Sequence, residues 1–310
     1  MRVTEGSNYE NVRDTLRRSR EKMENLQAQA ASLKKVNRPS DDPSGAAQLL
    51  RVRSEKSNTE QFQLNSKIAE NFLSNTDQGI SDLADVVVRA KELAIGQSSM
   101  ASSSEDTRRG VAEEVSELFR QAISTANRRV GDRYLFGGYK TQSPPIDSGG
   151  RYSGDQGQMM VEIGDDVFIS MNLPGVDVFN THPSSEALGA GGYSEPGPEN
   201  VNIFDELQRL KIGLVSGDFN GIRDTLERFD QLHGQLIATR AKVGSRLQGL
   251  QYANQAMERQ QISNSMLSSS LEDADMAQVV SDLNKQESVF KSSLAASKRL
   301  IQPTLLDFLR

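Results

Sequence analysis

The chain has 310 residues, of which 36 % are hydrophobic and 5 % aromatic, with no tryptophan and no cysteine. Missing thiols exclude disulfides and thiolate metal sites, and a net charge of −6 argues against a surface built to neutralise nucleic-acid phosphates. Such a composition is thin for one large spherical core and favours long, narrow packing.

From the N-terminus, Val12, Leu16, Ser19, Met23, Leu26, Ala30 and Leu33 follow alternating steps of four and three, the seam spacing of a coiled coil. "KVNRPSDDPSGAAQLLRV", residues 35–52, then interrupts the helix. Pro39 and Pro43 disfavour helix at the residues before them, and Asp41 or Asp42 can cap the helix that restarts near Pro43. A long helix is expected from about Ser44 to Gly96, with Phe62, Asn65, Ala69, Phe72, Thr76, Gly79, Leu83, Val86, Ala90 and Leu93 on its seam. At full length it would span roughly 80 Å. "GQSSMASSSED" breaks the pattern, and Ser102 with Glu105 reads as a capping box for a third helix to about Arg129. Val111, Val115, Leu118 and Ala122 share one face of that helix.

Residues 131–200 are a different material, holding 13 of the 24 glycines and 6 of the 9 prolines. "MMVEIGDDVFISMNL" alternates like a hairpin around a Gly-Asp-Asp turn, "RYLFGGYKT" reads as a further strand or hairpin, and "ALGAGGYSEPGPEN" as a linker. This segment is expected to be a small β-rich insert that the helices could spare. Helix resumes near Val201. After "VSGDFNG" a long seam runs through Ile222, Leu226, Phe229, His233, Leu236, Arg240, Val243, Leu247, Leu250, Asn254 and Met257. The register weakens through "QQISNSMLSSS" and returns as Met276, Val280, Leu283, Glu287, Phe290, Leu294, Ser297 and Ile301.

The layout is nearly mirror-symmetric, so the chain is expected to fold back on itself: mainly α, an elongated antiparallel helical bundle and coiled coil formed by the N- and C-terminal parts, with a small β-rich insert. The expected domains are a terminal coiled-coil assembly domain (1–43 and 269–310), a helical bundle (44–133 and 201–268) and an outer β-rich domain (134–200). Short heptad helices outside a main bundle have little to bury against alone. Their apolar positions are therefore the candidate assembly interface: Val12, Leu16, Met23, Leu26 and Leu33 on one side, and Val280, Leu283, Phe290, Leu294 and Ile301 on the other. Past Pro303 the apolar tail Leu305, Leu306, Phe308 and Leu309 extends that surface.

Enzyme signatures are missing. The two histidines, His182 and His233, lie far apart, and there is no H-E-x-x-H, P-loop or nucleophile elbow. Asp41-Asp42 and Asp165-Asp166 lack calcium-loop spacing and read as cap and turn. No catalytic, cofactor or metal site is expected. The polar start "MRVTEGSNYENVRD" lacks a secretory h-region, and no stretch approaches the roughly 18 apolar residues of a membrane span. A cytoplasmic protein, or one exported without a cleaved signal peptide, is expected.

Several phrases together resemble the flagellin family of bacterial flagellar axial proteins. "NRPSDDPSGAAQLLRVRSE" resembles the family's turn after the first helix. "ELAIGQSS" and "VAEEVSELFRQAISTANRRVGDRYLFGGYKT" resemble the closing of its helical domain, and "LEDADMAQVVSDLNKQESVF" with "LLDFLR" its C-terminal helix. "YLFGGYKTQSPPI" is similar to the branch of the family that sits where hook meets filament. The resemblance covers about 1–140 and 200–310. It implies that the termini form the inner coiled coil of a tubular assembly, and that 131–200 project outward. It also implies export through the flagellum's own type III apparatus, with a flagellar export chaperone on the C-terminal helix. Implied partners are further copies of itself in a ring, hook-associated protein 1 on the hook side and flagellin on the filament side. Neither nucleic acid nor membrane insertion is implied. Arg89, Glu92 and Leu93 match part of a patch that animal Toll-like receptors sense in some flagellins. The competing readings are a filament subunit of the same fold and, more remotely, a cytoplasmic coiled-coil adaptor.

Overall fold

The computed structural model describes residues 5–98, 104–179 and 201–301. Among them are seven helices and two two-stranded antiparallel sheets, in the order α1 (Glu5–Ser32), α2 (Pro43–Gln97), α3 (Glu105–Ala126), β1 (Arg129–Val130), β2 (Arg133–Tyr134), β3 (Met160–Gly164), β4 (Val167–Ser170), α4 (Gly175–Phe179), α5 (Ile203–Ser216), α6 (Phe219–Glu272) and α7 (Met276–Ile301). The fold is mainly α with a small β content, as the periodicity predicts.

Local chemistry sets the helix ends. The Asp42 carboxylate accepts the amides of Ser44 at 3.1 Å and Gly45 at 3.0 Å, so Asp42 is the cap of α2. A Cβ at Gly45 would press on that carboxylate, so glycine leaves the cap undisturbed. Asp41 turns the other way and accepts the amides of Asn37 and Arg38, at 3.2 and 2.9 Å, closing the loop before the helix. At α3 the expected box of Ser102 and Glu105 is not the cap. Ser104 caps the helix, accepting the Thr107 amide, and Glu105 is already its first residue; Ser102 lies outside the described residues. The capping amide is three positions on in either reading, but the last serine before the acidic pair takes the role. Asn202 caps α5, which stops at Gly217 in the left-handed conformation, φ 73°. "QQISNSMLSSS" lies within α6, which is unbroken up to Glu272.

By its internal contacts the chain divides into two units, 1–59 with 259–310 and 60–258. The boundaries fall inside α2 and α6 rather than at the breakers.

The 60–258 unit holds one continuous apolar core. From α2 it takes Ala69, Phe72, Leu83, Val86 and Ala90, the expected seam, together with a second row, Leu73, Ile80, Val87 and Ala94. From α6 it takes Ile222, Phe229, Leu236, Val243 and Leu250. Leu232 and Thr239 are buried beside them, whereas the expected seam residue Arg240 faces outward and pairs with Asp77 of α2 at 3.0 Å. A helix surrounded by several neighbours buries a broader stripe than a two-stranded seam, which explains both extra rows.

The insert belongs to this core. Ile146, Tyr152, Ile163, Leu173, Val178 and Phe179 are buried in the same cluster as the helical side chains. Phe136, Phe179, Phe204 and Phe119 link the turn after β2, α4, α5 and α3 in a chain of ring contacts at 5.2, 5.5 and 6.1 Å. The Tyr152 hydroxyl donates toward the carbonyls of Phe136 and Asp155, and burial pushes its pKa above the usual phenol range. The expectation of a spare insert is therefore corrected: its backbone is irregular, but its apolar side chains fill the bundle. "RYLFGGYKT" contributes only the two-residue β2, paired to β1, and then turns tightly. Gly138 takes φ 70° where a Cβ would collide with Asp155, whose carboxylate accepts the Tyr139 and Gly157 amides at 2.7 and 2.8 Å. The hairpin of β3 and β4 forms as expected, with Asp166 at φ 57° in its turn.

Candidate assembly interface

The unit formed by 1–59 and 259–310 is thinly cored. Among its described residues the buried apolar side chains are Ala46, Leu49, Val52 and Val279, with Ser19, Thr59, Asn264, Glu272 and Ser297 buried beside them. α1 packs on α7. The pairing is antiparallel: Gln286 bonds Ser19, and Lys34 bridges Asp273.

On α1 the inward residues are Val12, Leu16, Ser19, Met23, Leu26 and Ala30, in the expected steps. Leu33 is off the helix, with φ 60°, and 57 % exposed. On α7 the inward set is Val279, Leu283, Gln286, Phe290, Ser293 and Ser297. This differs from the expected register. Leu283, Phe290 and Ser297 are shared, but Met276, Val280 and Leu294 lie beside the seam and are 36, 45 and 42 % exposed. Two overlapping 4-3 series run along α7, and apolar count alone favours the outer one. The inner one carries Gln286 and two serines and is legible only once α1 is laid against it. Small side chains leave a cleft of about 240 Å³ between Asn11, Val12, Thr15 and Leu16 and Ser293, Ala296 and Ser297. Ile301 ends α7; Leu305, Leu306, Phe308 and Leu309 lie outside the described residues.

The two breakers meet in a joint. The Lys35 amide donates to the Glu272 carbonyl at 2.6 Å, and the Ala274 amide donates to the Leu33 carbonyl at 3.0 Å. The Glu272 carboxylate takes Lys34 from one side and Arg53 of α2, at 2.7 Å, from the other. Its side chain is only 9 % exposed, and the Lys34 hydrogen bond, seconded by Arg53, holds its pKa below the ordinary value against the opposing effect of burial. Beside it a cleft of about 400 Å³ is lined by Val36, Arg38, Pro39, Leu49 and the exposed Leu50. Sequence reading singled out the breakers but not Glu272. An acidic residue at a helix end carries no signal of its own until its two cations are brought to it.

Chemically the surface is one of packing and polar registration. Among the described residues no group of three or more His, Cys, Asp or Glu is placed to hold a metal, and no helix is long and apolar enough to cross a membrane. Of the Toll-like-receptor match, Arg89 pairs with Glu92 at 3.0 Å and Glu114 of α3 at 2.7 Å.

Comparison with known proteins gives a consistent answer. The family described as the bacterial flagellin N-terminal helical region matches residues 4–141. A flagellin of Listeria monocytogenes is 24 % identical over 284 residues, 92 % of this chain and 90 % of that one. Flagellar hook-associated protein 3 of Salmonella typhimurium is 22 % identical over 301 residues, covering 94 % and 95 %. Among solved structures, a flagellar hook-associated protein from Vibrio parahaemolyticus superposes with TM-score 0.64 at 18 % identity, over 75 % of this chain and all of that one. The flagellar junction protein from Legionella pneumophila does so with TM-score 0.57 at 18 % identity, over 73 % of this chain and all of that one. The relatives are flagellar structural proteins, the architecture is theirs, and residues 4–141 of the chain match the bacterial flagellin N-terminal helical region.

Proposed function

We propose that this chain is a non-enzymatic structural part of the bacterial flagellum, the hook–filament junction protein of the hook-associated protein 3 type. The observation that carries this reading is the near end-to-end alignment with hook-associated protein 3 of Salmonella typhimurium, 94 % of one chain on 95 % of the other. In this reading 1–43 and 269–310 are the assembly domain, 44–133 and 201–268 the surrounding bundle, and 134–200 its outward part. The assembly surface comprises Val12, Leu16, Met23, Leu26 and Leu33 of the N-terminal side, Val280, Leu283, Phe290, Leu294 and Ile301 of α7, and the tail leucines with Phe308. Copies of the chain close a ring, hook-associated protein 1 lies below it and flagellin above. The protein is exported without a cleaved signal peptide, its C-terminal helix held by an export chaperone until then. Exposed apolar residues on α7 beside a thin seam support an assembly role, because such surfaces on monomers mark contact sites.

The second reading, a filament subunit, draws on the equally extensive match to the Listeria flagellin. Deletion of the gene decides between them. A junction protein leaves cells with hooks, no filaments, and flagellin in the medium, and the protein is present in purified flagella at a few copies. A filament subunit is present in thousands. Normal filaments on cells lacking this chain overturn the junction assignment.

A further inference from the structure

The turn between α5 and α6 carries a chemically reactive pair of neighbours. Asn220 and Gly221 form the only Asn-Gly dipeptide in the chain. Asn220 is exposed and is the second residue of α6. Asp218 caps that helix. Its Oδ1 accepts the amides of Asn220 and Gly221, each at 3.1 Å, and its carbonyl accepts the Ile222 amide at 3.0 Å. A Cβ at Gly221 would press on the Asp218 carboxylate, at 2.7 Å, so glycine leaves this cap undisturbed. The residue that suits the cap is also the one that shields its neighbour least. With no side chain on Gly221, its main-chain nitrogen reaches the Asn220 side-chain amide unhindered once the turn opens.

The step open to this pair is deamidation. The Gly221 nitrogen, its proton lost to solvent base, attacks Asn220 Cγ. Ammonia, reclaiming a proton from water, leaves as a five-membered imide closes. Water then opens the imide at either carbonyl, giving aspartate or isoaspartate. One amide and one water go in, one carboxylic acid and one ammonia come out, and nothing is oxidised or reduced. Closure needs an extended backbone at Asn220, which helical φ and ψ exclude, and a free Gly221 N–H, which Asp218 holds. We infer that Asn220 is a deamidation site of this chain, kept latent by the Asp218 cap. The isoaspartate product routes the main chain through Cβ and lengthens it by one atom, just before the fully buried Ile222. It loosens the start of α6, where Arg108 of α3 lies over the Phe219 ring at 5.6 Å. The inference lies within the 60–258 unit and does not depend on the terminal helices or on which flagellar part the chain builds.

The test ages the full chain in mildly alkaline buffer. Tandem mass spectrometry follows the mass gain at Asn220, and enzymatic methylation counts isoaspartate. The folded parent should react at least about tenfold more slowly than the same chain in guanidinium chloride, because only the opened first turn can close the imide. Asp218→Ala should keep the helical circular dichroism and react about fivefold faster than the parent, the factor by which losing an N-cap raises the frayed population. Asp218→Asn, which also caps a helix, should stay near the parent rate. Equal rates for folded and denatured parent overturn the inference, as does an Asn220 that fails to react when denatured. A parental rate in Asp218→Ala overturns it too. So does loss of helix in that variant, since the carboxylate would then be holding the fold rather than the turn. An Asp218→Asn rate equal to that of Asp218→Ala overturns the assignment to the cap and gives the guarding role to the negative charge beside Gly221.

Discussion

Glu272 shows what one carboxylate can hold. It lies at the end of α6, nearly covered, with Lys34 and Arg53 on either side. The two cations are about half exposed, so water screens each pair and the energy falls well short of that of a fully buried triad. Removing the charge in Glu272→Gln should cost about 1–2 kcal/mol in the transition that melts the terminal unit. Its pKa is lowered from the ordinary 4.5 in the folded state. The stabilisation is therefore fully present above about pH 4.5 and is lost as pH falls through the depressed folded value. Thermal melts of parent and Glu272→Gln between pH 7 and pH 3 should show a gap at neutral pH that closes in acid. A gap that is constant across the range, or that widens in acid, contradicts the salt-bridge account. Asp42 also has a lowered pKa, chiefly from the Gly45 amide, so acid loosens the cap of α2 in the same direction.

At the scale of elements, the insert and the helices exchange the roles that their composition suggests. Glycine and proline make 131–179 look detachable, yet its side chains complete the core. Phe179 is 1 % exposed and touches both Phe136 and Phe204, at 5.2 and 5.5 Å. Phe179→Ala should destabilise the bundle by about 3–5 kcal/mol, as the loss of a buried phenyl ring does. Replacing 142–179 by a short linker should lower the melting temperature of the whole 60–258 unit. Unchanged melting and helical circular dichroism in both variants would return the insert to a spare role. The same contrast shows what could be read from the sequence. Regular spacing gave α2 nearly to the residue, expected at about 44–96 and found at Pro43–Gln97, because periodic burial is written locally, whereas the weakened register at "QQISNSMLSSS" did not mark an end of α6. The hairpin was legible from its alternation and Gly-Asp-Asp turn. The contribution of the insert to the core was not legible, since irregular backbone buries Ile146, Tyr152 and Leu173 at no fixed period. Nor was the true face of α7. Val279, Leu283, Gln286 and Phe290 and the series Val280, Leu283, Glu287 and Phe290 both alternate steps of four and three, in opposite phase, and only the partner helix decides between them.

For the whole molecule the consequence is a division of labour along α7. Its inner series closes on α1, and its outer apolar residues, Met276, Val280 and Leu294, remain part-exposed. Full burial of a large aliphatic side chain contributes about 1.5–3 kcal/mol, so completing the burial of one already half covered contributes about 1 kcal/mol. In the proposed ring of copies such increments would add up and decide assembly, while leaving each chain's own folding nearly untouched. Leu294→Asp places a charge on that outer series, outside the α1 seam and outside the core of the 60–258 unit. Melting of that unit should change by no more than about 0.5 kcal/mol, as for other surface substitutions. Cells carrying only the variant should build hooks without filaments and shed flagellin into the medium. Phe290→Asp, on the inner series, should instead loosen the terminal pair in the isolated chain and be visible as lost helical signal before any assembly. Normal filaments with Leu294→Asp would mean that the outer series of α7 is not an assembly surface. Equal loss of helix in both variants would mean that the two series are not separate.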